Sequence, residues 1–124
     1  WRDGRLSTRQ VKAWAASTDR WRRRLALVCT VPMSRSRRAG DGGDASKVVS
    51  ICRRLVRDRD EMVVKAMSWA LRELSKSDRT TVRSFLRRYD GLLATRVVRE
   101  VNNKLKTGLK NPTARRVHEK TRGA

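Results

Sequence analysis

Apolar residues in this chain recur every three or four positions rather than every two, and that spacing restricts it to helices. Start signals divide the pattern. Ser7-Thr8-Arg9-Gln10 is a capping-box sequence, whose side chains satisfy the free N–H groups of a first turn. It opens a helix with Val11, Trp14 and Ala15 on one face. A second helix starts near Asp19, carries Trp21, Leu25 and Val28 as its stripe, and runs until Pro32. A third, capped by Asp44 or Ser46, places Val48, Ile51, Cys52 and Leu55 together. Asp60 caps the fourth, and Asp78 the fifth, which carries Val82, Phe85, Leu86 and Tyr89. Gly91 breaks the chain. Thr95 starts a sixth helix with Val98, Val101 and Leu105, and Gly108 is its expected C-terminal cap. The predicted fold is all-α, with the helices paired as hairpins.

The even-numbered helices carry a faint repeat. They contain "RWRRRLAL", "MVVKAMSW" and "RVVREVNN", and aligned on their starts they bring Arg24, Lys65 and Arg99 to one position. Spacings of 41 and 34 residues fit a helical-hairpin repeat. The pattern predicts an α-solenoid of about three hairpins, in which one helix of each pair lines a concave surface. Matched cations on successive inner helices would form a ladder across it.

One aromatic residue breaks the helical pattern. In "MVVKAMSWALRELSK", residues 62–76, Val63, Met67, Ala70, Leu71 and Leu74 share a face. Trp69 falls roughly 160–180° from the centre of that face. Its angular neighbours are Lys65, Arg72, Glu73 and Lys76. An indole placed there is either covered by another element or offered to a ligand. Trp14 and Trp21, on apolar stripes, are expected in the core. Glu73 is expected to pair with Arg72 or Lys76, or to reach Trp69, rather than to serve as a catalytic acid, since a surface helical Glu usually serves in weak i, i+4 pairs.

Charge narrows the partners. Lys and Arg number 32 against 12 acids, a net charge of +20. Such an excess repels itself in a compact state, and a polyanion relieves it. Nucleic acid is the leading partner class, through phosphate neutralisation and counterion release; an anionic membrane surface is the weaker alternative. No stretch approaches the roughly 18 apolar residues of a membrane span, and no signal peptide is visible. Cys29 and Cys52 fall in apolar helical stretches and read as buried thiols of a reducing compartment. With His118 the one histidine, neither a zinc site nor a His-based triad can be assembled, and no metal or cofactor is expected. The Gly- and Arg-rich segment 33–44 reads as a solvated loop, and residues 111–124 as a basic mobile tail.

The segments "DRWRRRLALV", "MVVKAMSWALRELSKSD", "VRSFL" and "VVREVNNKLKTG" resemble the bacterial DNA alkylation repair family, HEAT-like α-solenoid DNA glycosylases. The likeness runs from residue 5 to about 111, and KA-x-x-WALRE-x-x-K is its specific motif. The resemblance implies hydrolysis of the N-glycosidic bond of N3- and N7-alkylated purines in duplex DNA, bound in a basic concave cleft as a monomer in the cytoplasm. An alkylated purine is already cationic and leaves readily. Catalysis then consists of stabilising positive charge on the sugar, by a carboxylate and by indole faces. Carried over by position, Arg24 matches a cleft arginine and Trp69 the tryptophan packing on the sugar–phosphate backbone at the lesion. Lys65 and Arg99 match basic cleft positions.

The family's catalytic carboxylate, four residues after a tryptophan, has no match. Trp14 is followed at that offset by Thr18, and Asp3 follows Trp1 too closely. With Trp1-Arg2-Asp3-Gly4 reading as the end of an element already under way, residues 1–110 are expected to be the C-terminal part of a repeat domain, with its catalytic helix upstream. Two further readings stand beside this one. The first is a DNA-binding solenoid without the acid, and the second a helical scaffold for an acidic protein or RNA.

Overall fold

A computed structural model describes residues 6–34, 45–108 and 110. The described residues form helices α1 (Thr8–Ala15), α2 (Arg20–Val28), α3 (Ala45–Arg54), α4 (Glu61–Ser75), α5 (Arg79–Arg88) and α6 (Thr95–Thr107), with a 3-10 turn at Pro32–Ser34 and no strand. The fold is thus all-α, a helical repeat arrangement. The turn takes up the start of the expected 33–44 loop and buries Met33 and Ser34; residues 35–44 and the tail at 111–124 lie outside the described residues.

The helices begin where the caps dictate. Ser7 accepts from the Gln10 N–H at 3.1 Å, Asp19 from Trp21 at 3.0 Å, Asp60 from Met62 at 2.9 Å, and Asp78 from Thr81 at 3.1 Å. Each such bond satisfies an N–H that the helix cannot, and is worth about 1 kcal/mol. α6 differs. Its N-cap is Ala94, with no side-chain cap, and it ends on Gly108 at φ 78°. That left-handed geometry favours glycine.

Side-chain bonds between helices fix their order. Arg23 Nε donates to Asp58 Oδ2 at 2.8 Å, and Arg20 pairs with Asp60 at 3.3 Å, joining the start of α2 to the start of α4. Ser77 Oγ donates to the Ser34 carbonyl at 2.6 Å, joining the far ends of the same pair. Arg59 reaches the Leu92 carbonyl at 2.6 Å and Ser68 reaches Glu100 at 2.6 Å, which align α4 with α6. Helices α2, α4 and α6 therefore run parallel, with α4 in the middle, while α3 and α5 return in the opposite direction and pack on α4. Arg79 donates to the Leu105 carbonyl, setting the start of α5 beside the end of α6.

The core lies under α4. Val63, Met67, Ala70, Leu71 and Leu74, the face read from the sequence, are all buried. Leu27, Ile51, Val82 and Val101 pack around them from the other helices. Cys52 is fully buried, and burial pushes its thiol up to about 12. Cys29, in the turn after α2, is half-buried.

On α2 the sequence reading is overturned. Trp21 is 56% exposed and Leu25 42%, whereas Ala26 and Leu27 are buried. Two apolar sets compete on this short helix, and a stripe of three cannot outvote them by periodicity alone. The decision falls to Arg23, which shares the inner side with Ala26 and Leu27. Its guanidinium is satisfied by Asp58 and by the carbonyls of Ser17 and Thr18, at 3.1 and 2.9 Å. A fully bonded arginine is tolerated there. Of the predicted stripe, Val28 alone packs partly on the core. Trp14 is half-buried against the core, as its stripe implies.

Candidate nucleic-acid interface

Because α2, α4 and α6 are parallel, positions counted from their N-caps are equivalent. Arg24, Lys65 and Arg99 are each the fifth residue after a cap, at Asp19, Asp60 and Ala94. Each stands on one helix of the parallel set, at the same turn. Their surroundings differ. Lys65 and Arg99 are exposed, while Arg24 is half-buried and donates from Nη1 to the Met62 carbonyl at 2.7 Å. Part of the Arg24 fork thus holds α2 against the first turn of α4. Among the described residues no hydrogen bond or ion pair joins Arg24, Lys65, Trp69 and Arg99 to one another.

Trp69 lies one turn beyond Lys65. It is half-buried, and among the described residues it is not one of the partly buried side chains that pack on the core. The equivalent ninth positions after the caps are Val28 on α2 and Asn103 on α6. The indole is therefore a single large apolar surface on the middle helix. Lys65 and Lys76 on its helix are exposed, and Arg72 and Glu73 half-buried. On α6 the same side carries Arg96, Arg99 and Lys106. Arg99 also lines a cleft of ≈ 470 Å³ with Arg59, Asp90, Thr95 and Val98, at the start of α6.

Beneath this surface lies a carboxylate that the sequence reading missed. Glu100 is 3% exposed and faces α4. Ser68 Oγ donates to its Oε1 at 2.6 Å, and Arg96 and Lys110 each approach its Oε2 at 3.4 Å. Arg72 Nε in turn donates to Ser68 Oγ at 3.1 Å. Burial raises the Glu100 carboxyl, but the Ser68 bond and the charges of Lys110 and Arg96 outweigh it and hold the group below its ordinary value. The signal was available: a glutamate between Val97 and Val101 stands within the buried stripe of α6.

The arrangement suits binding. Exposed guanidinium and ammonium groups neutralise phosphates, and an indole among them offers an apolar face to sugar or base. It is less suited to acid–base work. Glu100 has both oxygens engaged, and Glu73 pairs with Lys76 at 3.0 Å. Among the described residues no group of three or more His, Cys, Asp or Glu is placed to hold a metal. None of the described helices is long and apolar enough to cross a membrane.

A family model described as DNA alkylation repair enzyme matches residues 2–105. Neither the curated proteins nor the solved structures give a match.

Proposed function

Since the chain belongs to the family of DNA alkylation repair enzymes, we propose that the face formed by α2, α4 and α6 binds duplex DNA at an alkylated purine. The observation that carries this reading is Trp69, half-buried and standing among cations on the middle helix of three. Lys65 and Arg99 neutralise phosphates on either side of the lesion. Arg24 orders the α2–α4 junction through Met62 and presents the rest of its fork to the backbone. Trp69 packs on the deoxyribose of the damaged nucleotide, where its ring also favours positive charge developing on the sugar. The reaction served is hydrolysis of the N-glycosidic bond of N3- or N7-alkylated purines.

A second reading concerns the acid. These residues contain no Trp-x-x-x-Asp, and Glu73 on α4 and Glu100 on α6 are both paired. We infer that this chain alone binds lesion DNA without excising the base, as a DNA-binding member of a HEAT-like fold.

Titration of a duplex carrying one alkylated purine against an undamaged duplex, at several salt concentrations, tests the main reading. Three phosphates neutralised give a log–log salt slope of about −3, with the damaged duplex bound more tightly. Salt-insensitive binding, or equal affinity for both duplexes, would overturn it. Chromatography of the released base tests the second: free alkylpurine above the spontaneous rate removes the inference that the chain lacks its acid.

A further inference from the structure

The returning helices carry a second repeat, in register with the first. Ser50-Ile51-Cys52-Arg53-Arg54 on α3 and Ser84-Phe85-Leu86-Arg87-Arg88 on α5 lie 34 residues apart, the spacing of Lys65 and Arg99. In both, the two residues before the arginines are buried, and all four arginines are exposed in the last helical turn. The pair Arg53–Arg54 points roughly 160° away from the stripe of Val48, Ile51 and Cys52. The pair on α5 stands likewise to Val82, Phe85 and Leu86. Arg57, in the turn after α3, and Arg83, one turn before Arg87, are exposed as well.

Among the described residues Arg53, Arg54 and Arg87 make no hydrogen bond or ion pair, while Arg88 rests over the Tyr89 ring at 5.7 Å. Asp90 offsets one charge beside the second pair. A cation in the last turn interacts favourably with the helix dipole, weakly at an exposed position and subject to salt screening. That accounts for one arginine at a helix end, but not for two at each of two ends, matched in position, with three of the four making no bond among the described residues.

We propose that Arg53–Arg54 and Arg87–Arg88 form a second phosphate-binding surface, which takes the backbone of a second duplex segment while the first occupies the face of α2, α4 and α6. Two arginine pairs at matched helix ends suit a polymer with repeated charges, and exposed guanidinium groups suit phosphate oxygens. The chain would then hold two stretches of DNA at once.

The test uses two short duplexes, one with a donor dye and one with an acceptor. The full chain should bring them together in energy transfer and bind two duplexes in sedimentation. Replacing all four arginines by Gln should weaken the second duplex at least tenfold, while the first duplex stays bound. The charge-matched set Lys65→Gln, Arg72→Gln, Arg96→Gln and Arg99→Gln should weaken the first and leave a duplex bound through the pairs. Binding of a single duplex by the unaltered chain, or undiminished transfer in the four-arginine variant, overturns the proposal. Circular dichroism checks the helices. If the fourfold variant loses them, each twofold variant is read instead, with a severalfold loss of transfer expected and no change overturning the proposal.

Discussion

Ser68 Oγ and Glu100 Oε1 stand 2.6 Å apart, and this contact ties the middle helix to the last one beneath the candidate DNA face. Glu100 also gathers Arg96 and Lys110, so it organises cations at the edge of that face. Its carboxyl lies below its ordinary value of 4.5 in the folded chain. The stability it contributes is therefore full above that value and is lost as pH falls through the folded one. Glu100→Gln is expected to cost about 1–2 kcal/mol at neutral pH. The gap between the two proteins should close on going from about pH 7 to about pH 3. Urea midpoints for both proteins across that range check the sign; a gap that widens in acid contradicts it.

Trp69→Ala should leave the helices intact. A half-buried side chain off the core costs about 1 kcal/mol or less on truncation, while affinity for lesion-containing duplex should fall by about tenfold, as for loss of one stacked aromatic. Thermal melts followed by circular dichroism, together with anisotropy titrations, separate the two effects. Unfolding on substitution would assign the indole to packing.

Arg24→Ala should register in both readouts. The Met62 carbonyl loses a charge-assisted bond, worth about 1.5–3 kcal/mol. The salt slope of duplex binding should become shallower by about 1. Arg24→Lys keeps the charge without the fork, and is expected to recover the slope more fully than the stability. An unchanged slope in Arg24→Ala would remove this residue from phosphate contact.

The inverted face of α2 is tested by a pair of substitutions. Leu25→Lys, at a position 42% exposed, should stay within about 0.5 kcal/mol of the parent. Leu27→Ala, at a fully buried position, should cost about 2–5 kcal/mol. Denaturant midpoints decide, and a larger loss at Leu25 would restore the stripe read from periodicity.

Helix starts were legible because one side chain settles each of them: Ser7, Asp19, Asp60 and Asp78 bond the first-turn N–H groups nearby in sequence. The long α4 was legible because its apolar face repeats over four turns. α2 was not, since its inner face includes Arg23, made acceptable by Asp58, 35 residues away. No local pattern contains that partner. Glu100 was hidden for the same reason, its hydroxyl partner lying 32 residues earlier on α4. Of the candidate site, the sequence placed Arg24, Lys65 and Arg99 at one level by counting. It gave no sign that Arg24 would be half-committed to a backbone carbonyl.

The thiol of Cys52 has a bearing on the company such a protein keeps. Electrophiles that methylate purines also react with sulfur, and they react with thiolate rather than thiol. With its titration pushed up to about 12 and no surface open to solvent, Cys52 offers almost no nucleophile near neutral pH. A methyl group added there would overfill a closely packed interior, at a cost of about 1–3 kcal/mol. The burial that secures α3 against its neighbours thus also shields the interior of a repair protein from the class of chemical that damages its substrate.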